Sequence, residues 1–174
     1  VQAGIVMLKS STGDIVAVGA GRNKKGESTF NFATMTKKQI GSTSKPLYDY
    51  GPGIEYNNWS TYQLFADEPH SYSDGGNVNN ADGRYNGLLT MREALKLSRN
   101  IPAIKAFQSL KSSDILSFVK SLGLSPDMSQ GILFETHAIG GYTGESPLTL
   151  AAAYAAFSNG GYYVEPRSFT KIVY

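Results

Sequence analysis

The pattern Ser-x-x-Lys occurs three times in the chain, at Ser42 with Lys45, Ser117 with Lys120 and Ser168 with Lys171. A serine hydroxyl becomes a useful nucleophile near neutral pH when a base takes its proton, and a lysine amine can be that base if it is held neutral. The two groups must first be able to touch. Residues three apart on a helix share a face, whereas residues three apart on a strand point to opposite faces. Local context separates the pairs. Pro46 cannot sit in a helix interior, because its ring would strike the carbonyl four residues back, so a helix through "TSKPLYDY" has to begin near Ser42 or Thr43. Ser42 then stands at the helix mouth, where unpaired N–H groups and the positive end of the dipole favour a developing oxyanion. Ser117 and Lys120 share a face inside a capped helix and read as solvated surface. Ser168 and Lys171 fall in the strand-like "SFTKIVY" and are expected to diverge. The plain alternative for Ser42 is an ordinary helix N-cap with Lys45 as an exposed charge.

A second pattern bears on the choice. "LSRNIPA" holds the only Ser-x-Asn of the sequence, Ser98 and Asn100. Pro102 biases Ile101 away from helical angles, so the helix from Met91 is predicted to end near Ser98 and another to start near Pro102. Ser98 and Asn100 would project from that corner, with Asn100 also suited to cap the second helix. Arg99 between them is expected to point away from the cleft, so that Arg99→Ala would cost much less than Lys45→Ala. His70 and His137 are far apart and lack acidic neighbours at ligand spacing, so neither a metal site nor a cofactor is expected. The glycine-rich "GAGRNKKG" fits no dinucleotide or phosphate-loop pattern and reads as a turn.

Several elements must position these residues. With 174 residues, 41% of them hydrophobic, the chain suits one globular domain without an obvious internal boundary. A net charge of +2 with 17% charged residues offers no basic stripe for nucleic acid. The absence of cysteine excludes disulfides and thiolate sites. No apolar stretch is long enough to span a bilayer, and the N-terminus lacks a signal-peptide layout. Two β-branched-rich runs, Gln2 to Lys9 and Asp14 to Ala20, predict a hairpin. A polar connector follows from Gly21 to Phe30, and the stretch from Gly51 to Gly87 reads as mostly loop with scattered aromatics. Thr90 with Glu93 forms a capping box; Ser112 or Ser113 caps a helix that stops at Gly123; Ser146 before Pro147 opens one that ends at Gly160 and Gly161. The chain closes on the strand-like segment already noted.

Together "GSTSKP" and "SRNIPA" resemble the first two active-site motifs of the penicillin-binding proteins and the related serine β-lactamases. "GDIVAVGAGR", "FNFAT", "TMREALKLSRNIPAIKAF" and "SPLTLAAAYAAFSNGGYYVEP" resemble the transpeptidase domain of class A, bifunctional penicillin-binding proteins, so the likeness runs over nearly the whole chain, residues 1–174. It implies an α+β fold of the penicillin-binding and serine β-lactamase kind, an antiparallel sheet with helices packed around it. It implies a D,D-transpeptidase: Ser42 attacks a D-alanine carbonyl of a peptidoglycan stem peptide, Lys45 is its base, Ser98 relays a proton and Asn100 holds Lys45 and a substrate amide. β-Lactams would acylate the same serine, at the extracytoplasmic face of the bacterial cell membrane. A D,D-carboxypeptidase, a β-lactamase-like hydrolase or a non-catalytic scaffolding fragment are the alternatives on this fold. The β-lactamase alternative needs a water-activating glutamate; "GESPLT" offers Glu145, better explained as an acid beside a helix N-terminus. One departure is plain: the family's Lys-Thr-Gly or Lys-Ser-Gly motif is not in this sequence. The resemblance therefore implies the N-terminal part of the domain, without its C-terminal strands, glycosyltransferase domain or membrane anchor, and with a second polypeptide as expected carrier of the third motif.

Overall fold

A computed structural model describes residues 2–23, 25 and 29–173; parts of the expected Gly21 to Phe30 connector, and Tyr174 of the last segment, lie outside the described residues. The chain forms two compact units, one of residues 1–38, 120–125 and 143–174, the other of residues 39–119 and 126–142. Helices and antiparallel strand pairs make the α+β class, and among the described residues the strands are distributed over three two-stranded ladders.

The first unit contains the hairpin. β1 (Ile5–Leu8) pairs antiparallel with β2 (Ile15–Gly19), Val6 opposite Val18. Its turn closes on Lys9, whose carbonyl accepts from the N–H groups of Thr12 and Gly13. The helix named below as α5 packs on β1. Arg167 meets the hairpin by a parallel bridge to Asp14, with Ile15 N–H donating to its carbonyl at 2.9 Å. Beyond it the expected strand does not form: residues 168–173 are exposed and carry no ladder. β-Branched residues favour a strand only where a partner edge and a packed face receive them, and the described residues supply neither there.

The second unit begins at Gln39 and holds the candidate chemistry. Gly41–Ser44 is a 3-10 turn, Pro46–Tyr50 a π-helical turn and α1 (Gly51–Asn57) an α-helix, in one continuous run. Pro46 explains the changes of pitch. It has no N–H, so the chain closes tightly before it, Lys45 N–H to Ser42 O, and widens after it, Gly51 N–H to Pro46 O. The helix thus continues through "GPG", which the sequence had suggested was loop. Its glycines are required by close packing: a Cβ on Gly51 would lie 2.7 Å from the Phe118 ring and one on Gly53 2.0 Å from Trp59. The rest of the supposed loop also contains structure, with β3 (Leu64–Asp67) paired to β6 (Gly87–Thr90) and β4 (His70–Ser71) to β5 (Asn77–Val78).

α2 (Met91–Lys96) starts at the expected capping box, with Glu93 N–H on Thr90 Oγ1 and the Glu93 carboxylate on Thr90 N–H. α3 (Asn100–Gln108) follows after a corner, and α4 (Ser112–Ser121) ends ahead of Gly123. A 3-10 turn, Glu135–Ile139, follows. α5 (Pro147–Ala155) is capped by Ser146, whose hydroxyl accepts from Thr149 N–H at 3.1 Å. Tyr50, Phe65, Met91, Ala103 and Ala106 form a buried cluster in the second unit, with Trp59 and Ile139 against it. α3, fully buried along Ile101, Ala103 and Ile104, is its spine.

Candidate active site

Ser42 and Lys45 are the first and fourth residues of one 3-10 closure, in which side chains three apart eclipse. Ser42 is exposed and Lys45 is completely buried. The N-cap of the turn is Ile40, with no side-chain cap, so Ser42 is not spent on capping. Gly140, at φ +76, lies against the backbone of Gly41, where an added Cβ would come within 2.3 Å of Gly41 N. Ser44 ties the same turn from behind, donating its hydroxyl to His137 O.

The buried lysine reaches the second motif. Lys45 Nζ donates to Ser98 O at 2.6 Å, Ser98 Oγ at 3.1 Å and Asn100 Oδ1 at 2.8 Å. Lys45, Ser98 and Asn100 are therefore brought together around one amine, and Ser42 lies on the same turn as Lys45. Burial pushes the Lys45 ammonium down to about 8; Asp49 opposes this and Arg99 adds to it. A lysine near 8 is a practical base at neutral pH, where an unperturbed one is not. Asn100 is the first residue of α3, and its N-cap is Arg99 without a side-chain cap, so Asn100 does not cap the helix as expected. Its amide nitrogen donates to Asn79 O at 2.9 Å, leaving one N–H for a ligand.

Ser98 has φ +52, an uncommon conformation for a residue with a Cβ. Something must hold it, and Arg99 is the visible candidate. The Arg99 side chain enters a buried ion pair, Nε to Asp67 Oδ2 at 2.8 Å, with Nη1 on Asp82 Oδ2 at 3.0 Å and Nη2 on Arg84 O, partners that the sequence reading did not name.

The other candidates are not among the hydrogen-bond partners of this amine in the described residues. Ser117 and Lys120 are exposed on α4, as expected. Ser168 and Lys171 are also exposed, but the alternation argument does not apply to them, because their segment is not a strand. Glu145 is buried and accepts from Ser125 N–H at 3.1 Å. His70 meets Gln108 Oε1 at 2.7 Å, and His137 is buried, stacked on Tyr142. Sequence reasoning missed Asp49, a fully buried carboxyl four residues after Lys45 whose oxygens have no hydrogen-bond partner among the described residues. Burial holds its pKa well above the usual carboxylate range, against the pull of Lys45. The spacing to Lys45 was available as a signal. It also missed Asp67 and Asn80, which no local pattern marks.

The family model of the penicillin-binding protein transpeptidase domain matches residues 3–174. The chain belongs to this family. It is 45% identical to penicillin-binding protein 1A/1B of Bacillus subtilis over 95% of its own length and 18% of that protein's, and 34% identical to penicillin-binding protein 1A of Streptococcus pneumoniae over 99% and 25%. It thus spans about a fifth to a quarter of these relatives. The crystal structure of penicillin-binding protein 1A from Haemophilus influenzae superposes with a TM-score of 0.83 at 32% identity, over 95% of this chain and 25% of that one. PonA1 from Mycobacterium tuberculosis, at 20% identity and TM-score 0.81 over 95% and 45%, shares the fold. Among the described residues no helix is long and apolar enough to cross a membrane.

Proposed function

We propose that this chain carries the acylation site of a peptidoglycan D,D-transpeptidase, with Ser42 as nucleophile and Lys45 as its base. The observation that carries the reading is the buried Lys45 amine, on the same turn as Ser42 and held by three acceptors from Ser98 and Asn100. Ser42 Oγ attacks the carbonyl of the penultimate D-alanine of a stem peptide while its proton passes to neutral Lys45. The Ser42 N–H stabilises the oxyanion. Ser98 then relays a proton from Lys45 to the departing nitrogen as the C–N bond breaks, terminal D-alanine leaves and an ester remains on Ser42. The amine of a second stem attacks the ester, forms the cross-link and returns the proton to the serine. The Lys-Thr-Gly motif that would complete such a site is not in this sequence. Membership of the penicillin-binding family supports β-lactams as substrate mimics and an extracytoplasmic location at the bacterial membrane.

A labelled penicillin followed by peptide mapping tests the assignment. Label is expected on Ser42 and is expected to vanish in Ser42→Ala. Label on Ser117 or Ser168, or label surviving Ser42→Ala, would sink it. Hydrolysis in place of transfer has no support from Glu145, whose carboxylate takes the Ser125 N–H.

A further inference from the structure

Asn80 lies twenty residues before Asn100, in the loop after β5, and is buried. Its Oδ1 accepts from the backbone N–H of Asn100 at 2.8 Å and of Ile101 at 3.4 Å. These are the first two donors of α3, which Arg99 leaves uncapped. Its Nδ2 donates to Asp67 Oδ1 at 2.6 Å and Arg84 O at 2.9 Å. All the polar capacity of a buried amide is thereby committed. Asp67, fully buried at the end of β3, is equally occupied: Oδ1 by Asn80, Oδ2 by Arg99 Nε at 2.8 Å and Asn86 N–H at 3.0 Å.

We propose that Asn80 and Asp67 are positioning residues for acylation, an external clamp that fixes the Ser98–Asn100 corner at the spacing Lys45 requires. Asn80 sets the height of the first turn of α3, and so the place of Asn100 Oδ1. Asp67 draws Arg99 to the other side and so holds Ser98 in its positive-φ conformation, where both its carbonyl and its hydroxyl meet Lys45 Nζ. A helix N-terminus capped by its own flanking residue can drift with that residue. One capped from a buried strand and loop cannot, and displacements of about 1 Å cost on the order of 10²-fold in rate. The proposal rests on the reading of Ser42 as the acylated serine.

The test uses the native full-length protein and a fluorescent penicillin, with the acylation rate at saturation separated from the initial binding constant and counted per folded molecule. Asn80→Ala is expected to slow acylation about 10- to 100-fold while binding changes less than threefold. Asn80→Asp sets two carboxylates together and is expected to be at least as slow. Asp67→Asn combined with Asn80→Asp restores the donor–acceptor pair between the two positions and the net charge, though not the bond to Arg84 O, and is expected to recover part of the rate lost in Asn80→Asp. A purely structural role would lower the melting temperature of Asn80→Ala and leave the rate of folded molecules unchanged, which would overturn the proposal. Slow single variants without recovery in the double would overturn the Asp67–Asn80 link. If Asn80→Ala does not fold, Asn80→Ser, which keeps a capping oxygen on a shorter side chain, is held to the same rate criterion. A parent that labels on another serine overturns the reading of the site itself, and is distinguished by peptide mapping.

Discussion

An ordinary lysine is neutral in about 0.04% of molecules at pH 7, which would leave Ser42 almost without a base. Lys45, pushed down to about 8 by burial, is neutral in about a tenth of them. Only the neutral amine can take the serine proton, so acylation is expected to rise with pH and level off with an apparent midpoint near 8. Stopped-flow labelling between pH 6 and 9.5 measures it. Arg99 contributes to the low value and Asp49 works against it, so the midpoint belongs to the group of charges around Lys45 and not to burial alone. Lys45→Ala is expected to lose about 10²–10⁴-fold and to flatten the profile. A flat profile in the parent would mean that Lys45 is not the base. The meeting of Lys45 with Ser98 and Asn100 was legible at this scale because a proline beside each motif limits where a helix can start. The partners of Arg99 were not legible, because Asp67 and Asp82 are distant in sequence, and position alone says where a side chain points but not what it meets.

Elements read well wherever the signal was local. The Thr90–Glu93 box and the Ser146–Pro147 start contain their own hydrogen-bond partners, and the β1–β2 hairpin closes on its own turn. Helix α1 was read as loop because its cause is remote: Gly51 and Gly53 look like turn residues until Phe118 and Trp59 are placed against them. The same kind of contact shapes the site at Gly140. Its positive φ and its approach to Gly41 make Gly140→Ala strained twice over, and the second strain falls on the residue before Ser42. Gly131 has a similar φ of +79 but nothing within 4 Å of an added Cβ. Gly131→Ala is expected to cost about 1–2 kcal/mol of stability and leave acylation unchanged, whereas Gly140→Ala is expected to slow acylation by 10-fold or more. Equal effects in the two variants would show that backbone conformation, and not the contact with Gly41, is what the site requires.

For the molecule as a whole, the chemistry depends on burial that local opening would destroy. Lys45, Asp49, Asp67, Arg99 and His137 are all buried in the unit of residues 39–119 and 126–142, and a Lys45 exposed to water would regain its charge. That unit is organised on α3, whose Ile101, Ala103, Ile104 and Ala106 are fully buried. The closing segment of the other unit is its opposite: Phe169 is 63% exposed, Ile172 57% and Val173 78%, and none belongs to a ladder. Amide exchange tracks this difference, since exposed backbone without ladder bonds exchanges from the native state and buried helix amides wait for cooperative opening. Mass-resolved hydrogen exchange is expected to find peptides spanning α3 the slowest in the protein and residues 168–173 exchanged within seconds. Slow exchange at residues 168–173 would instead mean that they are paired in a strand. The alternating β-branched pattern of "SFTKIVY" would then have been the better guide, and Ser168 and Lys171 would point to opposite faces after all.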